Sequence, residues 1–148
     1  MFNKYFLAHG PHATRENGMC AMEWTAYLAG EAHSDSPKCV SGVLRNWFVG
    51  LNDAMLDHDR QRLRPYLART IGTMDDGHDQ ERIKLLETYS KNYHPEFDSA
   101  SRRRTGLKIH PELWELLDAL LPTEPLQLPV AEDAEAFFAE PIPEFVTS

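Results

Sequence analysis

The sequence predicts an all-α fold, a single bundle of about five helices with an extended, acidic, proline-rich C-terminal tail. Three observations point there. Apolar residues recur every three or four positions along most of the chain, and helix-starting and helix-stopping residues bracket those stretches. No segment alternates apolar and polar residues in the manner of a half-buried strand, and no repeat is visible at any period.

The first helix is expected to run from Asn17, a good N-cap, to Ala29, with Gly30 at the usual stopping position. Met19, Met22, Ala26 and Tyr27 form one side of it, and Cys20, Trp24 and Leu28 lie beside them. Ser36 is expected to cap a second helix, with Pro37 in its first position, where a missing N–H costs nothing. Val40, Val43, Leu44, Trp47 and Leu51 follow at helical spacing, and Gly42 and Gly50 each weaken the run by up to ~1 kcal/mol against alanine. A third helix opens near Asp57 or Asp59 and carries Leu63, Tyr66, Leu67 and Ile71, with Pro65 imposing a kink or a break and Gly72 a stop. A fourth follows the carboxylates from Asp76 to Asp79 and ends at His94-Pro95, because a residue before proline resists the helical region. Residues 95–109 read as a loop with a basic knot at Arg102, Arg103 and Arg104. Pro111 opens a fifth helix with Leu113, Leu116, Leu117, Leu120 and Leu121. Beyond Pro122, "LPTEPLQLPV" reads as extended and "EDAEAFFAE" as one short helix. The expected division is a helical domain over 1–121 and a tail over 122–148 that packs on the domain or on a partner.

The net charge of −8 is unevenly placed. From Pro111 to Ser148 there are nine acidic residues and no Lys or Arg, whereas the preceding 110 residues carry 14 acidic and 15 basic residues. Such a tail argues against direct nucleic-acid binding, which needs cations to displace phosphate counterions. It suits a basic protein surface, or serves solubility alone. No apolar run approaches the ~20 residues of a membrane span, and the N-terminal apolar patch falls short of the roughly 7–15 residues of a secretory leader. With two cysteines in the chain, the expected location is the cytoplasm.

The cysteines frame the densest chemistry. If Asn17 and Ser36 are the caps, Cys20 and Cys39 each occupy a first helical turn, where free N–H groups and the helix dipole favour a thiolate. His33 and Asp35 lie in the connection between them. One reading makes Cys20, His33 and Cys39 zinc ligands with Glu23 or Asp35 as the fourth group, since zinc takes sulfur, nitrogen and carboxylate oxygen in a tetrahedron. The C-x12-H-x5-C spacing matches no recognised finger. A second reading makes Cys20 a nucleophile, His33 its base and Asp35 the orienting group. Here the few residues around Asn17, Gly18 and Cys20 resemble the nucleophile region of papain-like and ovarian-tumour-type thiol hydrolases, which place their histidine on a β element not expected here. The third and blandest reading takes both cysteines as small buried hydrophobes.

A longer resemblance covers the first half of the chain. "NGMCAMEWTAYLAGEAHSDSPKCVS", with "LND" at 51–53 and "RPYLARTIGT" at 64–73, resembles a group of short uncharacterised proteins of bacteria and their phages. It implies that residues 17–73 form a transferable unit. His58-Asp59 and His78-Asp79 resemble the His-Asp pair of metal-dependent HD phosphohydrolases, but charged residues follow both pairs where a buried metal helix should be apolar. Arg60, Arg62, Arg64 and Arg69 are expected on solvated helix faces. Phe137, Phe138, Ile142, Phe145 and Val146 are expected to cover the helices or a partner.

The expected function is that of a small cytoplasmic interaction or regulatory protein acting by surface contact, with no catalysis, stabilised by zinc if the first reading of the cysteines holds. The resemblance suggests a phage or mobile-element inhibitor of a host nucleoprotein complex, meeting a basic or nucleic-acid-binding surface. The enzymatic alternatives are a hydrolase using Cys20 and His33 and, behind it, an HD-type phosphohydrolase.

Overall fold

The computed structural model describes residues 4–93 and 109–142, and the protein is mostly helical. Helices α1 (Ala21–Leu28), α2 (Gly42–Ala54) and α5 (Asp79–Tyr93) are joined by the single-turn α3 (Asp57–Arg60) and α4 (Arg64–Leu67), then followed by α6 (Glu112–Leu120) and α7 (Ala134–Ala139). Short 3-10 turns at Arg15–Asn17, Gln61–Leu63 and Ala68–Thr70 link them. Among the described residues there is no strand, only a lone parallel bridge between Leu7 and Met19. No described helix is long and apolar enough to cross a membrane. The basic knot at Arg102 to Arg104, and Phe145 and Val146, lie outside the described residues.

Both expected helix starts are displaced toward the C-terminus, for separate reasons. Asn17 ends a 3-10 turn, Gly18 turns the chain with φ at +100°, and Cys20 is the true N-cap of α1. Cys20 and Glu23 form a capping box: the sulfur stands against the Glu23 N–H, and the Glu23 carboxylate accepts the Cys20 N–H at 2.9 Å. The second helix cannot start at Pro37, because the backbone there is already engaged. The Glu31 carboxylate accepts the Lys38 and Cys39 N–H groups at 2.6 and 3.0 Å, and the Cys39 carbonyl accepts from Gly72 and Met74. Ser41 is the N-cap instead, its Oγ accepting the Leu44 N–H. Gly42, read as a weak interior residue, is the first residue of α2.

The stop at Gly30 stands as expected. Its N–H reaches the Tyr27 carbonyl and the Glu31 N–H reaches the Ala26 carbonyl, which is the Schellman closure, with Gly30 at φ +79°. Pro65 sits in the first turn of α4, so the third apolar stretch forms two single-turn helices with 3-10 turns after each.

The core joins α1, α2, α4, α6 and α7, and Leu85, Leu86 and Tyr89 of α5 pack against it. Met22, Leu28, Leu44, Phe48, Leu63, Leu67, Ile71, Leu113, Leu117 and Phe137 are buried together. Phe137 of α7 stacks on Trp24 of α1 with ring centroids 4.4 Å apart. Trp24 is buried, and Trp47 is half-buried on the face of α2.

Polar side chains clamp segments that have no regular hydrogen bonds of their own. The Gln61 amide pairs with both backbone groups of Leu7, at 2.7 and 2.9 Å. Asn52 accepts the Ala21 N–H and donates to the Ala8 carbonyl, and Asp53 accepts the Gly10 N–H. The arginines correct the sequence reading. Arg60 and Arg64, expected in solvent, are buried, and only Arg62 stays exposed. Their guanidinium groups fill the unsatisfied carbonyls at helix ends: Arg60 takes Asn52 and Met55 after α2, and Arg64 takes Phe137 and Pro141 around the end of α7. Arg82 caps Leu120 and Arg69 caps Pro122, both at the end of α6. Arg64, Arg69 and Arg82 thus tie a helix end to a remote part of the chain, whereas Arg60 closes the neighbouring end of α2.

Candidate functional site

Glu23 is the centre of the predicted cluster. Its carboxylate is buried, with 1% of the residue exposed, between the first turn of α1 and two incoming loops. Oε1 accepts the Cys20 N–H and His12 Nδ1, both at 2.9 Å, while Oε2 accepts the His12 N–H at 2.8 Å and faces His33 Nε2 at 3.3 Å. A carboxylate offers about four acceptor positions; three accept from Cys20 and His12, and His33 Nε2, bonded to the His12 carbonyl, stands 3.3 Å away on the fourth side. Burial alone would raise the Glu23 carboxyl, but the Cys20 N–H and the two His12 bonds hold it below the ordinary range. Glu23 is therefore an ionised carboxylate that joins the 12 and 33 loops to a helix start.

His33 Nε2 lies 2.7 Å from the His12 carbonyl as well as near Glu23. Both neighbours are acceptors, which assigns the ring proton to Nε2. Nδ1 is buried with no hydrogen-bond partner among the described residues. Asp35 accepts the neighbouring Ser36 hydroxyl at 3.4 Å on an exposed turn, and the His33 ring takes its partners from His12 and Glu23 instead.

The thiols do not take the form expected of them. Burial, with the Glu23 carboxylate close by, pushes the Cys20 thiol up to about 12. Burial and the hydrogen bond to Glu31 push Cys39 up to about 11. The positive helix end that was to stabilise a thiolate at Cys39 is not there, since α2 begins beyond it. At Cys20 a buried anion already occupies the helix start. Both cysteines are free, and each faces a different carboxylate.

The predicted zinc set of Cys20, His33, Cys39 and Glu23 does not suit a metal as placed. The Glu23 lone pairs are spent on N–H donors, and the Cys39 thiol donates to Glu31. Among the described residues, no group of three or more His, Cys, Asp or Glu side chains is positioned to hold a metal ion. The His-Asp pairs lie at helix starts: His58 Nε2 is 3.7 Å from Asp59 in α3, and the exposed His78 meets Glu81 at 3.3 Å just ahead of α5.

Sequence reasoning missed His12, which supplies two of the three hydrogen bonds to Glu23 from a stretch read as a plain loop. No spacing rule signals it. Glu23 had a legible signal: it stands three residues after Cys20, the capping-box interval, with cysteine in place of serine. No family model, curated protein or solved structure matches this chain.

With these groups committed to internal bonds, charge on the solvent face of the C-terminal segment is left free to act outward. Glu124, Glu132 and Glu135 are exposed and form no ion pair with any described residue. Asp133 differs, because it accepts the Tyr27 hydroxyl at 2.7 Å and so ties this segment to α1.

Proposed function

We propose that the protein is a small regulatory module that works by surface contact, its helical bundle serving as a rigid base for an acidic C-terminal face that meets a basic protein surface. The observation that carries this reading is the contrast in how charge is used. The interior carboxylates Glu23, Glu31 and Asp76 are consumed by N–H donors and Arg82, whereas Glu124, Glu132 and Glu135 stand in solvent without counterions from the described chain. Unpaired surface charge of one sign steers association with a surface of the other sign and is screened by salt.

The thiols, buried at Cys20 and half-buried at Cys39 and held protonated well above neutrality, favour this reading over the Cys20 hydrolase. A basic, nucleic-acid-binding protein is the target class that suits such a face. The test is affinity capture from a bacterial extract at low and high salt, using the full chain and its E124Q/E132Q/E135Q variant. Salt-sensitive capture by the wild type that the variant loses is the expected result. Capture that survives removal of the three charges refutes the reading.

A further inference from the structure

The C-terminal segment presents more than charge. Between α6 and α7 the chain crosses the molecule as a strap whose apolar residues turn outward. Leu126, Leu128 and Val130 are 55%, 74% and 66% exposed, while Pro125, Pro129 and Ala131 between and beside them are half-buried. Exposed aliphatics in a row are uncommon on a protein surface without a role in contact.

The strap backbone is held down while those side chains are left out. At one end the Val130 and Ala131 N–H groups share the Leu28 carbonyl at the end of α1. Val130 lies so close to Gly30 that a Cβ there would come within 2.8 Å of its Cγ2. At the other end Leu126 and Gln127 press on Gly72, whose added Cβ would stand 3.1 and 3.3 Å from theirs. Two bare glycines and two prolines thus fix a surface that loses little freedom when something binds to it.

Leu126 also forms a wall of a groove of about 350 Å³ between the start of α5 and the end of α6. Leu85, Leu121 and Pro122 line it together with the polar side chains of Asp76, His78, Glu81 and Arg82. Asp76 is spent on Arg82, which is itself buried and bonded to Leu120 and Asp79. Around the apolar surface stand the exposed Glu81, Glu124 and Glu132; Glu81 is paired with the exposed His78 at 3.3 Å, and Glu124 and Glu132 form no ion pair with any described residue. A second copy of the chain would bring carboxylates against carboxylates, so charge complementarity selects a different occupant.

We infer that the groove and the Leu126–Leu128–Val130 row form one docking site for an aliphatic segment of a partner protein flanked by lysine or arginine. Aliphatic side chains of that segment fill the groove and lie along the row, and its cations meet the three glutamates. This inference rests on the surface-contact reading above and narrows it to one face and one partner chemistry.

Selection of random dodecapeptides displayed on phage tests it, using the full chain as bait and discarding clones that also bind the L126S/L128S/V130S variant. The surviving peptides are expected to combine Leu, Ile or Val with two or more Lys or Arg. Synthetic copies should bind the wild type at least tenfold more tightly than the strap variant, and should weaken in the E81Q/E124Q/E132Q variant and in high salt. Circular dichroism checks that the strap variant is folded; if it is not, L128S alone, at the most exposed of the three positions, replaces it. Survivors that are acidic or uncharged overturn the inference, as does the absence of any peptide that separates wild type from variant. A wild-type dimer that the strap variant converts to monomer in sedimentation also overturns it, giving the face to a second copy. Peptides that bind both proteins equally, with charge-dependent capture from extract intact, sink this face and leave the surface-contact reading standing.

Discussion

Replacing Glu23 by glutamine keeps the shape of the side chain and removes the charge that three N–H groups bond and His33 Nε2 faces. The new amide nitrogen is a donor facing donors, in a place closed to water. Hydrogen bonds to a charged group contribute about 1.5–3 kcal/mol each to stability, and the loss is not fully additive, so E23Q should cost about 3 kcal/mol in urea unfolding near neutral pH. The pH dependence has a definite sign. The folded carboxyl lies below its unfolded value of about 4.3, so its contribution is fully present above that pH and is lost as pH falls through the folded value. The stability gap between wild type and E23Q should therefore narrow in acid. A gap that stays constant from neutrality down to about pH 3 would show that the charge is not what Glu23 contributes. At this scale the sequence was partly legible: Cys20, Glu23 and His33 fall in one predicted cluster, while His12, which supplies two of the three hydrogen bonds to Glu23, lies outside it. What misled was the chemistry attached to them. A cysteine near a helix start reads as a thiolate, but here it is buried beside an ionised carboxylate, and two negative charges do not share such a site.

The elements divide by how local their causes are. Gly30 was legible as a stop because the Schellman closure depends on one residue that tolerates positive φ, and the structure places that residue against the strap as well. G30A should therefore carry two separable penalties. The left-handed backbone costs an alanine about 1–2 kcal/mol, and the contact with Val130 Cγ2 adds to it. V130A removes that methyl group from the wild-type surface at small cost, because Val130 is largely exposed. In a double-mutant cycle read by urea midpoints, G30A should be milder in the V130A background, and strict additivity would remove the steric part of the argument. The start of α2 was not legible, since Ser36-Pro37 is a sound local signal overruled from a distance. Glu31, Gly72 and Met74 occupy the backbone at 38–39, and helix formation passes to Ser41. The arginine caps were hidden for the same reason. Arg60, Arg64, Arg69 and Arg82 look like surface cations in any local window, and their carbonyl partners lie up to 77 residues away in the chain.

For the molecule as a whole, the question is whether the segment after α6 belongs to the same cooperative unit as the first half. Phe137 decides it. The ring is fully buried, stacked on Trp24, at 5.0 Å from Phe138 and at 6.2 Å from Tyr5, and its carbonyl is held by Arg64. Those partners come from the N-terminal segment, α1, α4 and α7, so a void there is shared by distant parts of the chain. F137A should lower global stability by about 3–5 kcal/mol, as deletion of a buried phenylalanine does when its neighbours cannot collapse onto the space. In a W47F/W114F background, where Trp24 is the one tryptophan, its fluorescence and far-ultraviolet circular dichroism should report one coincident transition with and without F137A, shifted to lower urea by F137A. If α7 were a detachable flap, the Trp24 signal would change at low denaturant while most of the helical signal remained. That second outcome would separate the C-terminal segment from the core. It would also release the strap, whose ends are fixed by α1 at Leu28 and by the chain at Gly72, from the rigid base that makes its exposed row a ready surface.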